Sequence, residues 1–87
     1  MRDEEVEDRI ERLEAEERDL RADEAAVRNR PDADVKLAAD RNRLEAIRVE
    51  LDQQWDLLRR RRALREAGQD PDGAGPRDAG TVEGYLG

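Results

Sequence analysis

Residues 50–68 of the chain read ELDQQWDLLRRRRALREAG, and this stretch decides the fold. Leu51, Trp55 and Leu58 recur at steps of four and three residues, which is the apolar spacing of a helix that packs along one side. Gly68 follows the last periodic residues, and a proline comes three positions later, which together are the usual signals of a helix end. The stretch therefore predicts the C-terminal half of an amphipathic helix.

The same helix is predicted to begin near residue 31 and to have two apolar sides. The first side continues towards the N-terminus through Leu37, Leu44 and Ile47. The second side lies nearly opposite on a helical wheel and consists of Ala39, Ala46, Val49, Leu57 and Leu64. One neighbouring helix can bury the first side but not both. We therefore expect a helix over residues 31–67 whose second side is covered by the C-terminal residues or by a second copy of the chain.

An earlier helix is predicted over residues 3–28. Its large apolar residues recur with a helical period and are Val6, Ile10, Leu13, Leu20 and Val27. Pro31 disfavours helix for the residue before it and is well tolerated in a first helical turn, so the connection between the helices is short. A short connection makes the two helices antiparallel neighbours.

The position of the turn predicts the register of this hairpin. With the turn near residue 30, position n of the first helix faces position about 60 − n of the second. Leu13 then faces Ile47, for example. The acidic start of the first helix also meets the basic run of the second, which favours antiparallel packing. Glu17 lies on the apolar side of its helix and is expected beside Arg43.

The composition excludes several classes of site. The chain has no Cys and no His, so thiol chemistry, the commonest general base and the commonest metal ligand are absent. Neighbouring carboxylates such as Glu16 and Glu17 are interpreted as solvated helix faces, because a two-helix unit offers no pocket for acid–base catalysis. We expect no catalytic residue, no cofactor and no bound metal.

Charge and hydropathy indicate a protein of the aqueous phase. Charged residues make up 47% of the chain, and the formal net charge is −7. No apolar run approaches the roughly 20 residues that span a membrane, and residues 1–5 contain no apolar leader region. We expect a cytoplasmic location and no membrane contact.

The run from Arg59 to Arg62, followed by Arg65, permits two interpretations. A basic cluster can neutralise nucleic-acid phosphates, and a nucleic-acid-associated regulator is the alternative function that we retain. The acidic chain and the neighbouring acidic helix instead favour a structural role, in which the arginines also interact with the negative end of the helix dipole. We therefore do not expect nucleic acid to be the principal partner.

Residues 69–87 are predicted to form a flexible tail beyond a hairpin domain of residues 1–68. Gly and Pro recur through most of this tail and disfavour regular structure. An apolar segment at residues 82–86 ends the tail. We expect its Tyr85 and Leu86 to dock on the second apolar side of the long helix.

Trp55 supports an interaction role. Trp is common at binding hot spots, although its place on the first apolar side favours the helix–helix core. The two interpretations coincide if the core is itself a dimer interface. We therefore predict an all-α, coiled-coil-like antiparallel hairpin that forms a homodimeric four-helix unit and serves as a non-enzymatic interaction or scaffold module. The predicted interaction face consists of Val49, Trp55, Leu57, Arg59, Arg62, Leu64, Tyr85 and Leu86.

A family resemblance rests on two blocks of sequence. The first reads VELDQQWDLLR at residues 49–59 and continues as RRALREAG at residues 61–68, and the second reads VEGYL at residues 82–86. These blocks closely resemble a family of short actinobacterial proteins classed as domain of unknown function 2630. The resemblance implies a helical hairpin and transfers no catalytic residue, because the family has no established activity. It also implies a histidine where this chain has Arg18, so a metal site built on that histidine is not expected here.

Overall fold

The structure, a computed structural model, describes residues 1–28, 30–75, 77 and 79–86, with the backbone alone for 79 and 84–86. The elements in chain order are α1 (Asp3–Val27), α2 (Ala33–Glu66), a 3-10 helix (Pro71–Gly73) and α3 (Ala79–Leu86). The two long helices pack side by side as an antiparallel pair. The predicted all-α hairpin is therefore confirmed.

The C-terminal end of α2 has the hydrogen bonds of a Schellman motif. Gly68 has a positive φ of 75°, a conformation that glycine adopts without strain. The amide of Gln69 donates to the carbonyl of Leu64 at 2.8 Å, and the amide of Gly68 donates to the carbonyl of Arg65 at 3.0 Å. The helix end predicted at Gly68 is thus confirmed.

Ion pairs between α1 and α2 show the register of the hairpin. Three of these pairs are Arg9–Glu50, Glu16–Arg43 and Asp23–Lys36. In each pair the two residue numbers add up to 59, close to the predicted value of about 60. Leu13 and Ile47, which the register places opposite each other, are 1% and 0% exposed. The predicted antiparallel register is confirmed along the body of the hairpin.

Glu17 does not pair with Arg43 as predicted. Its carboxylate lies 3.6 Å from Arg21, one turn further along α1. Glu16 accepts the hydrogen bonds of Arg43 instead. One step along a helix rotates the side chain by about 100°, so Glu16 lies at the edge of the contact while Glu17 lies nearer its apolar side.

Residues 69–87, predicted to form a flexible tail, contain two short helices. The 3-10 helix and α3 both pack against α2. Val82 of α3 is 1% exposed, and Glu83 lies 3.2 Å from Arg48 of α2. Within the described residues α3 makes no contact with α1, so the layers follow the order α1, α2, α3.

Candidate interaction surface

The two long edges of the α1–α2 hairpin differ in how their charges are paired. Along one edge the three interhelix ion pairs bridge α1 and α2 at intervals. A hydrogen bond from Arg43 holds the pKa of Glu16 below its ordinary value. Lys36 has the same effect on the pKa of Asp23. The charges of these three interhelix pairs are therefore paired within the chain along this edge.

The opposite edge carries Trp55. Its side chain is 42% exposed, so the prediction that it lies in the helix–helix core is wrong. Ile47 and Leu58 occupy the centre of the contact at 0% and 1% exposure, whereas Trp55 lies at the margin of the same apolar side. Packed helix axes are about 8–10 Å apart, and a ring as large as indole fits more readily beside such a contact than within it.

Trp55 borders a shallow groove of about 250 Å³ between the two helices, called the Trp55 groove below. The groove is lined by Glu7, Ile10, Glu11, Glu14, Trp55, Leu58 and Arg62. The buried side chains of Ile10 and Leu58 form an apolar floor. The α1 rim of the groove is acidic and the α2 rim is basic.

Several charges beside the Trp55 groove have no partner in the described part of the chain. Glu7 and Arg62 do pair across the groove, with an N–O distance of 3.2 Å. Glu11 and Glu14 make no ion pair or side-chain hydrogen bond with any described residue, and Arg59, one turn beyond Trp55, makes none either, although its charge acts on nearby Asp52. An exposed indole beside an apolar floor is typical of a binding surface, because Trp is enriched at interfaces.

The arginine run makes contacts within the chain. Arg62 pairs with Glu7, and Arg65 lies 2.7 Å from Asp3, which confirms the predicted meeting of the acidic start of α1 with the basic end of α2. Arg60 donates to a backbone carbonyl of the C-terminal segment. Nucleic-acid phosphates would have to compete with these bonds. The geometry therefore favours the structural interpretation of the run.

Arg61 lies at the centre of these contacts and is 3% exposed. Its guanidinium donates to Asp3 at 2.9 Å, to Asp72 at 2.7 Å and to the carbonyl of Met1 at 2.6 Å. Hydrogen bonds from Arg65 and from Arg61 hold the pKa of Asp3 far below its ordinary value. Arg61 therefore joins the N-terminus, α2 and the 3-10 helix.

The second apolar side of α2 is largely covered within the chain. Leu57 is 2% exposed and belongs to a core cluster against which Ala74 packs. Leu64 is partly buried beside Gly73 of the 3-10 helix, and Val49 is partly buried as well. Leu57 and Val49 thus present little open apolar surface, whereas Leu64 lines a shallow cavity of about 350 Å³ together with Ala63 and Ala74.

α3 is held on α2 by charged contacts that sequence reasoning missed. Arg48 lies 3.2 Å from Glu83 and 3.0 Å from Asp52. Burial, and then the hydrogen bond with Glu83, raise the pKa of Asp52. No periodic signal links positions 52 and 83, because their approach depends on the path of the C-terminal residues. The contacts predicted for Tyr85 and Leu86 lie outside the described side chains.

Two further features of the described residues concern metal ligands and exposed apolar side chains. Among them, no group of three or more Asp or Glu side chains is arranged to hold a metal ion. The large apolar side chains that this part of the chain exposes are Met1, Val35 and Trp55. Of these, Trp55 borders a groove with an apolar floor.

The sequence of the chain matches the model of a known protein family. The family model described as "Protein of unknown function (DUF2630)" matches residues 2–87. The chain belongs to this family. Relatives in the family's actinobacterial range include uncharacterized proteins of Mycobacterium tuberculosis strain H37Rv and of Mycobacterium bovis, each 48% identical over 71 residues. The matched residues cover 80% of this chain and 82% of each relative. The resemblance seen in the two sequence blocks is thereby confirmed.

Two further observations concern solved structures and membrane-spanning helices. No solved structure matches the chain. In the described part of the chain, none of the helices combines the length and the apolar content that a membrane crossing requires.

Proposed function

We propose that this DUF2630 protein is a non-enzymatic helical interaction module that works as a homodimer. The observation that carries the proposal is Trp55, which is 42% exposed at the side of an apolar-floored groove. An indole has a large apolar surface, and covering it with a second protein is a common source of binding energy at interfaces.

The size of the chain supports self-association. Small scaffolds gain stability from disulfides, bound metals or oligomerisation, because a single small core supplies little. The chain has 87 residues with no Cys and no His. Oligomerisation is therefore the supplement that this composition favours.

The residues of the Trp55 groove support a binding role over catalysis. Its lining contains three carboxylates, one arginine and apolar side chains, so an acid–base group is present but no enclosed reacting centre surrounds it. Catalysis by a side chain needs a nucleophile or an acid–base group beside an enclosed reacting centre. A shallow, open groove is better suited to receive a protein surface.

Sedimentation equilibrium tests the proposal. At micromolar concentrations we expect a species of twice the 10.0 kDa chain mass, in equilibrium with the monomer on dilution. Trp55 is the single Trp of the chain, so its fluorescence should shift to shorter wavelength as the concentration rises. A mass of 10.0 kDa at every concentration would refute self-association.

A further inference from the structure

We infer that the dimer forms through the Trp55 groove and that its two hairpins point in the same direction, with α1 of one protomer beside α2 of its partner. This inference rests on the proposed function, because it specifies the surface and the orientation of the self-association. The occupant of the groove is a second copy of this chain.

The Trp55 groove is the open surface at which an exposed aromatic side chain borders an apolar floor, whereas the cavity beside Leu64 lies between α2 and the 3-10 helix of the same chain. The opposite edge of the hairpin is bridged by interhelix ion pairs, and the 3-10 helix and α3 cover another side of α2. The outward side of α1 bears charged residues such as Asp8, Arg12 and Arg18. A large aromatic side chain beside an apolar floor is found at the groove.

The edge that carries the groove is comparable in size to a stable interface. The molecule is 57 Å long. Of this length, α1 and α2 lie side by side over the 25 residues of α1, about 38 Å, and the pair is about 20 Å wide, so this edge offers on the order of 750 Å². A stable interface buries about 800 Å² on each partner. A second copy can therefore cover the groove without any change in the hairpin.

The charges on the two rims select between two orientations. In a symmetric dimer the same surface meets itself, so each rim faces a rim of the partner. With the two-fold axis along the hairpin, the acidic α1 rim faces the partner's basic α2 rim. With the axis across the hairpin at Trp55, Glu11 and Glu14 would face the carboxylates of the partner's α1, and like charges repel.

The unpaired charges fit the first orientation. Glu11 and Glu14 line the α1 rim and have no ion pair with any described residue, while exposed Arg59 lies on α2 one turn beyond Trp55, with its charge near Asp52. In the parallel dimer, two-fold symmetry places each acidic α1 rim opposite the partner's basic α2 rim, so this contact between opposite charges forms twice. Complementary charges of this kind fix orientation and exclude competing arrangements more than they add affinity.

The first test compares Trp55→Ala with Val35→Ala, which truncates an apolar side chain that is 77% exposed elsewhere on α2. We expect Trp55→Ala to raise the dimer dissociation constant at least about tenfold, and Val35→Ala to change it by less than about twofold. Far-UV circular dichroism should show equal helix content in both. If the wild type dimerises and Trp55→Ala dimerises as well, the interface lies elsewhere, and this inference fails while the proposed function stands. A monomeric wild type would defeat the proposed function itself.

A charge reversal provides a variant that spares the apolar packing. Arg59 is exposed and has no ion pair with the described residues, but its charge acts on Asp52, so far-UV circular dichroism must first show that Arg59→Glu keeps the wild-type helix content. We expect it to weaken the homodimer, and a mixture with the Glu11→Arg chain to associate again as a heterodimer. If Arg59→Glu dimerises as the wild type does, the charge argument for the orientation is overturned.

Cross-linking tests the orientation directly. The chain has no Cys, so single engineered cysteines react at known positions. Glu7→Cys and Arg59→Cys chains are mixed, treated with a short bis-maleimide and separated by mass. We expect products that join residue 7 of one chain to residue 59 of the other. A dominant product joining residue 7 to residue 7 would overturn the parallel orientation.

Discussion

Arg61 shows how much one side chain contributes to the closure of this small fold. Its planar guanidinium carries five N–H donors in a fixed fork. Three of its contacts come from separate segments: Asp3 at the start of α1, Asp72 in the 3-10 helix and the carbonyl of Met1. A lysine ammonium is a compact charge that could not reach all three.

Arg61→Ala is expected to lower the urea midpoint of unfolding, because the buried guanidinium is lost and Asp3, Asp72 and the Met1 carbonyl lose their common donor. Arg61→Lys should recover part of the loss. Arg41→Ala is the matched control, since Arg41 is exposed on α2 and has no ion pair with the described residues. Circular dichroism during urea titration at fixed protein concentration measures all three. Equal midpoints for the Arg61→Ala and Arg41→Ala variants would contradict this role.

Trp55 shows what periodicity can and cannot predict at the scale of one residue. The spacing of Leu51, Trp55 and Leu58 correctly predicts that they share one side of α2. Exposure depends on where the centre of the contact falls and on how closely the helices approach, and both are properties of the packed pair. Leu58 and Trp55 differ by about 60° on the wheel. With that difference in direction, Leu58 is 1% exposed and Trp55 is 42% exposed.

At the scale of elements, α3 is the helix that local preference does not predict. Residues 79–86 read AGTVEGYL, in which two glycines lower the helix propensity. An isolated helix of this length is unstable in water, so packing on α2 stabilises it. The register of α1 and α2, in contrast, follows from the apolar spacing and the position of the turn, both of which are local features of the sequence.

Val82→Ala tests the packing of α3. Val82 is 1% exposed, and removing two buried methyl groups is expected to cost about 1–2 kcal/mol, or roughly a tenfold loss of amide exchange protection in α3. Val35→Ala makes the same chemical change at a side chain that is 77% exposed and should leave protection unchanged. Hydrogen exchange followed by NMR measures both. If the two variants had equal protection in α3, its packing would not depend on Val82.

Asp52→Asn tests the electrostatics beneath α3. Burial and the hydrogen bond with Glu83 raise the pKa of Asp52, while the nearby charges of Arg48 and Arg59 oppose the shift. Because the packed state has the higher pKa, protonation of Asp52 favours packing, which should strengthen as the pH falls through that raised value. The neutral side-chain amide of the Asp52→Asn variant should imitate the protonated carboxyl group of Asp52.

Hydrogen exchange of the Val82 amide is expected to be slower in Asp52→Asn than in the wild type at pH 7, with the difference shrinking as the wild-type carboxyl becomes protonated. Faster exchange in the variant at pH 7 would show that the ion pair between Arg48 and Asp52 outweighs the cost of burying the carboxylate.

At the scale of the whole molecule, opposing charge effects determine how stability depends on pH. The folded chain lowers the pKa of several carboxyl groups through Arg or Lys partners, namely Asp3, Glu16, Asp23, Glu45 and Asp72. The net charge of −7 acts in the other direction, because its repulsion destabilises the compact state at neutral pH.

Acid unfolding distinguishes the two effects. A carboxyl group whose pKa is lowered by folding contributes its full stabilisation above its unfolded pKa, near 4, and loses it as the pH falls further. Between pH 7 and the isoelectric point of about 4.7, the loss of net charge favours the folded chain. The urea midpoint at fixed protein concentration should therefore hold or rise down to about pH 5 and fall below about pH 4.

Asp3→Asn isolates one of the carboxyl groups in this acid response. The amide keeps the shape of the side chain but does not titrate, so the variant should be less stable than the wild type at pH 7 and lose less stability on acidification. The two urea midpoints should converge as Asp3 becomes protonated. A wild-type midpoint that continued to rise to about pH 3 would show that relief of net repulsion outweighs the paired carboxylates.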